Sequence, residues 1–353
     1  MVRNKILLAK SANINCNTLI AFQPENVFYI TGFWGEAIAL VNEDGTKLIA
    51  PKLEMERARK DSRDCEVTAA ERGRGMLDML LSILNNDIIC TDCDDVAIFE
   101  TIKKKVGRKL VYSTEPFYHS RMVKTSNEIK IIADAARILD KLFVKCEKAI
   151  KVGVTEERLQ ATLLYEAMKM GAYPASHRYT LSPLIVASGI NSALPHAEPT
   201  GKKIRRGDFV TVDLTLRHKG YIADATRTFA IGRISNEMNK IYGIVKEAQE
   251  SGLNAAKTGV KCGEVDNVCR SFIERKGYGK YFIHSTGHGI GLEIHEPPWI
   301  RMKNDEVLEN NTAITVEPGI YIPNKFGVRI EDSLVVGKKA KLFTRYTKEV
   351  QVL

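Results

Sequence analysis

Over roughly the first 120 residues, apolar positions fall in short blocks that switch between the two-residue period of strands and the 3.6-residue period of helices. Ala37 to Val41 and Thr46 to Ala50 flank Asn42-Glu43-Asp44-Gly45, which predicts a hairpin turned by Asp-Gly chemistry. Helices are expected at Leu53 to Asp61, Met76 to Leu84 and Val96 to Val106, and strands at Asp87 to Cys90 and Leu110 to Ser113. That order predicts an α/β domain, and no catalytic cluster stands in it.

From Thr125 onward the blocks lengthen. Thr125-Ser126-Asn127-Glu128 has the form of a capping box and opens a helical pattern expected to end near Gly153. Thr155, followed by Glu156 and Glu157, opens the next, with Leu159, Leu163, Ala167 and Met170 on one face before Gly171. Strand-type runs at Phe209 to Leu216 and Tyr221 to Phe229 then flank Arg217-His218-Lys219-Gly220 as a hairpin. The order repeats: helical patterns at Asn236 to Lys257 and Glu264 to Lys276 lead to strand-type runs at Thr312 to Tyr321 and Gly327 to Val336. Two helices and a hairpin, twice over, imply one domain built from two similar halves.

At 353 residues the chain exceeds the roughly 250 at which a single core stops growing, so two domains are expected. Its composition excludes a disordered, collagen-like or disulfide-stapled protein. The opening stretch lacks the long apolar core of a signal peptide, and no run reaches the roughly 18 apolar residues of a membrane span, so a cytoplasmic protein is expected. Seven scattered cysteines suit reduced thiols, and the lone Cys90-x-x-Cys93 has no second pair or neighbouring histidine to make a metal site. The formal charge is +9. Its densest basic cluster, Lys103 to Lys105 with Lys109, has no interleaved aromatics and reads as a solvated helix end, so neither a nucleic-acid nor a membrane partner is expected.

Candidate chemistry concentrates in the repeated hairpins. If the first closes on His218-Lys219, Asp213 stands directly opposite Asp224, and like charges so placed repel. Val212 and Leu214 mark the strand as substantially buried. Glu317 and Glu331 are equidistant from Asn324 and can share a face in the same way. One such acid alone could be solvated at a strand edge or paired with Arg227 or Arg329. Two opposed pairs in repeated hairpins require cations between them.

Three histidines, His284, His288 and His295, share one segment in which Gly287, Gly289 and Gly291 would let the backbone approach a ligand closely. A dinucleotide loop is excluded there, because no β-α unit with a downstream acid follows. One histidine with four carboxylates is a hard, oxygen-rich set suited to Mn, Co, Fe or Zn. Two such ions, about 3.5–4 Å apart, would hold a bridging hydroxide at neutral pH, the nucleophile a hydrolase needs.

Together these residues resemble the proline-specific metallopeptidases, the family of Xaa-Pro dipeptidase (prolidase) and aminopeptidase P. The matching stretches are Asn191 to His196, Val212-Asp213-Leu214, Ala223 to Arg227, Gly287 to Glu296, Thr315 to Tyr321 and Val328 to Asp332, with Tyr29 to Phe33 nearer the start. The resemblance covers nearly the whole chain. It implies an α/β creatinase-like N-terminal domain over 1–122 and an α+β catalytic domain of the pseudo-two-fold pita-bread fold over 123–353. It further implies that Asp213 binds one metal, that Asp224 and Glu331 bridge both, and that His288 and Glu317 complete the other. Glu317 would pass protons, and His196 and His295 would stabilise the tetrahedral intermediate or orient the peptide. Arg329 would stand beside the metals, His284 near the substrate carboxylate or in a packing role, and Thr226 would donate to a ligand carboxylate.

The function so implied is hydrolysis of the Xaa-Pro bond of dipeptides by a dinuclear Mn²⁺ or Co²⁺ centre, with Fe²⁺ or Zn²⁺ also suited, in a homodimer. Aminopeptidase P, acting on longer peptides, is the nearest alternative. Creatine amidinohydrolase shares the fold without metal and should lack several of the five ligands. A non-catalytic binding protein of the same fold is the remaining alternative, supported only by the basic charge.

Overall fold

The computed structural model describes residues 15–85, 87–175 and 184–353. The start of the opening apolar stretch lies outside these residues. The chain forms two compact units, Met1–Arg121 and Met122–Leu353.

In the first unit the chain runs β1 (Thr18–Ala21), α1 (Pro24–Thr31), β2 (Ile38–Asn42), β3 (Gly45–Pro51), α2 (Met55–Asp61), β4 (Glu66–Ala70), α3 (Arg74–Ile83), β5 (Ile89–Thr91), α4 (Val96–Val106) and β6 (Leu110–Tyr112). One mixed sheet results, in the order β4-β3-β2-β1-β5-β6. Its core joins Ile20, Leu40, Ile49 and Ile89 of the strands to Leu80 of α3 and Ile102 of α4. The expected β2/β3 hairpin forms, with Asn42 paired to Gly45 and its Oδ1 accepting from the Asp44 and Gly45 N–H groups. Lys103 to Lys105 lie exposed in the last turn of α4, as a solvated helix end should. The expectation of seven reduced thiols is corrected: Cys16 is disulfide-bonded to Cys90 across 74 residues. Parallel pairing of β1 with β5, which sets Leu19 beside Cys90, brings the two thiols together, and local cysteine spacing could not show it.

The second unit shows the repeated order. Helices α5 (Ser126–Ala149) and α6 (Glu156–Lys169) precede β7 (Tyr173–Pro174), β8 (Ile185–Ser188), β9 (Phe209–His218) and β10 (Tyr221–Ala230). Helices α7 (Asn236–Ala255) and α8 (Cys262–Arg275) then precede β11 (Gly287–Gly289), β12 (Glu296–Ile300), β13 (Ala313–Val316), β14 (Gly319–Ile322), β15 (Phe326–Arg329) and β16 (Asp332–Val335). The capping box of α5 is complete, with Thr125 and Glu128 bonded reciprocally. Glu128 also accepts from Tyr221 Oη at 2.7 Å, tying the start of the helix to the β9/β10 hairpin.

The two-residue period of β9 sorts its side chains. Val210, Val212, Leu214 and Leu216 are fully buried on one face, while Asp213, Thr215 and Arg217 are half-buried on the other. In the second half Val245, Ala248, Val265 and Cys269 of α7 and α8 pack with Ile314, Val316, Val328 and Leu334. Helices therefore cover one face of each hairpin, and the polar faces are left to form a site.

The register of the first hairpin differs from the expected one. His218 pairs with Tyr221, so the loop is Lys219-Gly220, and both residues have positive φ, at 49° and 88°. A two-residue turn of this hand needs positive φ at both positions, and glycine meets that need more easily than His218 would. Asp213 consequently stands opposite Thr226, and Asp224 opposite Thr215. The two aspartates become diagonal neighbours, still on one face.

The second hairpin keeps a single register from Ala313 opposite Val335 to Ile322 opposite Phe326. Its ladder opens between Val316 and Gly319, where Pro318 has no N–H to give. Glu317 and Glu331 occupy this gap. Their N–H groups leave the hairpin, Glu317 donating to Thr286 O at 2.7 Å and Glu331 to Thr226 O at 3.1 Å.

Candidate active site

The polar faces of the two hairpins meet at a cavity of about 500 Å³ lined by Asp213, Asp224, His284, His288, His295, Glu317, Arg329 and Glu331, with His196 and Trp299 also on its wall. Asp224, His288 and Glu331 each place a ligand atom within 4.8 Å of the others. Asp224 Oδ1 accepts from Thr215 Oγ1 at 2.8 Å. Glu331 Oε2 accepts from Thr226 Oγ1 at 2.7 Å, and Asp213 Oδ2 from Arg329 Nη2 at 2.7 Å. The remaining oxygens Asp213 Oδ1 and Glu331 Oε1 are buried and have no hydrogen-bond partner. A buried ionised oxygen without a donor is costly, and a divalent cation is the partner this donor set fits.

His288 belongs to the same set. Its Nδ1 lies 3.0 Å from Gly289 O. Because a carbonyl only accepts, Nδ1 carries the proton and Nε2 turns its lone pair towards the carboxylates, 3.4 Å from Glu317 Oε1. The glycines on either side of it pack tightly against the protein. A Cβ at Gly287 would lie 2.1 Å from Thr315 O and one at Gly289 2.3 Å from Pro297 O. The lack of a side chain at these two glycines lets neighbouring strands approach closely.

Arg329 binds the first hairpin to the second. Its Nε donates to Thr226 Oγ1 at 3.0 Å, and its Nη1 donates to Pro195 O at 3.1 Å and Tyr321 Oη at 2.8 Å. Tyr321 Oη in turn lies 3.0 Å from His284 Nε2, and His284 Nδ1 lies 2.7 Å from Ser285 O. Both nitrogens of His284 are thus engaged within the protein, with the proton on Nδ1. His295 stands edge-on to His288, ring centres 4.4 Å apart, and His196 is exposed at the cavity wall.

The electrostatics are those of acids confined together. Burial, then the charges of Asp213 and Glu317, hold Asp224 well above the usual carboxylate range. Burial, then Asp224, Glu317 and Asp213, do the same to Glu331. Burial raises Glu317 to about 8 against the opposing charge of Arg329. Burial, with His295 beside it, lowers His288 to about 3, so its imidazole stays neutral and can bind a cation.

All five residues expected as ligands, with Arg329 and Thr226, therefore converge, and His196, His284 and His295 line the same cavity. Tyr321, Thr215 and Trp299 were not anticipated. Tyr321 reads as a strand aromatic and Thr215 as a β-former. Trp299 stands opposite His288 on the β11/β12 ladder, a pairing with a register shift that no periodicity reveals.

Buried acids on two repeated hairpins, with the neutral His288 of β11 beside them, define a metal-dependent hydrolase of the pita-bread class. The chain belongs to metallopeptidase family M24, whose model matches residues 130–338, and it carries a creatinase/prolidase N-terminal domain matched over residues 3–123. It is 36% identical over 334 residues to the Xaa-Pro dipeptidase of Pyrococcus furiosus, covering 93% of each chain. Among solved structures it resembles an Xaa-Pro dipeptidase from Bacillus anthracis, with a TM-score of 0.94 and 34% identity over 100% of this chain and 99% of that one. The X-Pro aminopeptidase of Thermotoga maritima is also similar, with a TM-score of 0.88 and 34% identity over 99% of each chain.

Proposed function

We propose that this protein is an Xaa-Pro dipeptidase that hydrolyses the bond before proline with two divalent cations, Mn²⁺ or Co²⁺ foremost and Fe²⁺ or Zn²⁺ also suited. Asp213, Asp224, His288, Glu317 and Glu331 would hold them, within a catalytic domain that begins at residue 123. The observation that carries the reading is the pair of partnerless buried oxygens, Asp213 Oδ1 and Glu331 Oε1, within a cluster of four carboxylates. The names of the Pyrococcus and Bacillus relatives support the substrate class.

Bound cations would polarise the scissile carbonyl and activate water at neutral pH. Glu317 takes the proton of the attacking water and returns it to the proline nitrogen as the bond breaks. An Xaa-Pro amide lacks the N–H through which many peptidases dock substrate, and nothing in this cluster requires that N–H. His295 and His196 donate to the carbonyl oxygen as charge develops there. Arg329 holds Asp213 in place, and His284 acts through Tyr321 rather than on the substrate directly. Thr226 fixes the Glu331 carboxylate.

Aminopeptidase activity is the second reading, favoured by the equal sequence identity to the Thermotoga enzyme. Parallel assays on Ala-Pro and Ala-Pro-Ala, with Mn²⁺ and with chelator, separate them. Chelator-sensitive cleavage of the dipeptide alone supports the dipeptidase, and preference for the tripeptide moves the assignment to the aminopeptidase.

A homodimer in the cytoplasm completes the proposal. The free thiols of Cys65, Cys93, Cys146, Cys262 and Cys269 favour that compartment, and the Cys16–Cys90 disulfide counts against it; no helix among the described residues is long and apolar enough to cross a membrane. Light scattering of the purified protein tests the dimer.

A further inference from the structure

Behind the cluster, on the reverse face of the same strands, lies a second junction between the two halves. Thr226 and Glu331 face the cavity, and their chain neighbours Arg227 and Asp332 point the other way, as the two-residue period requires. Arg227 is 2% exposed and Asp332 1%. Arg227 Nη2 donates to Asp332 Oδ1 at 2.7 Å and to Tyr346 O at 2.7 Å. Its Nη1 donates to Thr226 O at 2.9 Å and Glu331 O at 2.5 Å, and its Nε to Thr347 O at 2.9 Å.

These bonds use all five donors of the guanidinium, and they reach three stretches of chain. Asp332 is as fully engaged, accepting also from Thr344 Oγ1 at 2.7 Å and Gln249 Nε2 at 2.9 Å. Glu331 is held at its N–H by Thr226, at its carbonyl by Arg227 and at Oε2 by Thr226. Oε1 alone has no hydrogen-bond partner.

We infer that Arg227 and Asp332 are positioning residues for the metal centre. They clamp the strand of Asp224 to the strand of Glu331 and so set the separation of two carboxylates that come from opposite halves of the domain. The segment from Thr344 to Thr347 is the third jaw of the clamp. A point charge could neutralise Asp332, but only the planar fork of arginine can also grip Thr226 O and Glu331 O. This inference rests on the dinuclear reading proposed above.

The test is Mn²⁺ binding to metal-free enzyme, followed by calorimetry and by the spin-coupled resonance signal of two adjacent ions. Arg227→Lys keeps the charge and loses the fork. It should weaken Mn²⁺ binding about 10- to 100-fold and diminish the coupled signal at temperatures where the protein is folded. Thr344→Val, a near-isosteric change that removes one donor from Asp332, should weaken binding several-fold, and it keeps the test available if Arg227→Lys does not fold. A merely structural pair would lower the melting temperature and leave the isotherm of the folded protein unchanged. Wild-type affinity and coupling in every folded variant would overturn the clamp alone. Absence of Mn²⁺ binding by the unsubstituted enzyme would instead overturn the function proposed above.

Discussion

Arg329 reaches across from the second hairpin to donate to Asp213 of the first at 2.7 Å, which leaves Asp213 one buried oxygen free. The guanidinium therefore orients the Asp213 carboxylate and leaves Oδ1 unpartnered for a cation. Arg329→Met should lower kcat by about 10- to 100-fold, the usual effect of losing a partner behind a metal ligand. Arg329→Lys should recover only part of that, because the bonds to Thr226, Tyr321 and Asp213 need the fork. Steady-state kinetics on Ala-Pro checks both, and unchanged kcat in Arg329→Met would remove the residue from the mechanism.

Asp224 and Glu331 occupy the centre of the candidate ligand set. Asp224→Asn or Glu331→Gln should abolish metal binding and activity together, since an amide N–H₂ would be aimed at a cation. Metal analysis by mass spectrometry beside the activity assay is the check. Cys93→Ser is the control, and it should leave both intact.

Folding raises Glu317 from an ordinary 4.5 to about 8, and it raises Asp224 and Glu331 as well. A carboxyl raised in the folded state contributes stability below its unfolded pKa, and that stability is lost as pH climbs through the folded value. Metal-free protein should therefore melt at a lower temperature near pH 8 than near pH 6.5, a window above the one in which the lowered His284 and His288 act the other way, by about 2–4 °C for each kcal/mol lost. Added Mn²⁺ should reverse the trend by compensating the ionised acids. Calorimetric melts across that range, with and without metal, give the answer, and an apo protein that stabilised on the way up would contradict it.

Gly289, next to His288 in the chain, is closely hemmed in, and a Cβ there would meet Pro297 O at 2.3 Å and Glu296 O at 2.5 Å. Gly289→Ala should cost about 1–3 kcal/mol as the strands part. Denaturant unfolding reads that loss. Activity should fall further than the fraction of folded protein, because His288 moves with the strand.

How much of this was legible in the sequence follows from what each signal depends on. The α5 capping box, the apolar face of β9 and the repetition of helices and hairpin are local patterns, so Thr125, Val212 and Leu214 revealed them. Hairpin symmetry about Asn324 gave the Glu317 and Glu331 pairing, because a uniform register depends only on the turn. The first hairpin was misplaced by one residue at the turn, since His218 and Lys219 compete with Lys219 and Gly220 and only φ decides. Long-range pairings such as Cys16 with Cys90, or Arg227 with Asp332, depend on strand order and carry no local trace. Tyr321 was invisible as a site residue for the same reason: its role is set by Arg329 and His284, which three-dimensional proximity alone brings to it.

The central claim is that cations held by these two hairpins make the site active. The most direct measurement titrates verified metal-free enzyme with Mn²⁺ while following Ala-Pro hydrolysis and counting bound ions. Activity should be absent without metal, rise as two ions bind per chain, and fail to appear in Asp224→Asn at any Mn²⁺ concentration. Full hydrolysis by enzyme shown to contain no metal would contradict the account.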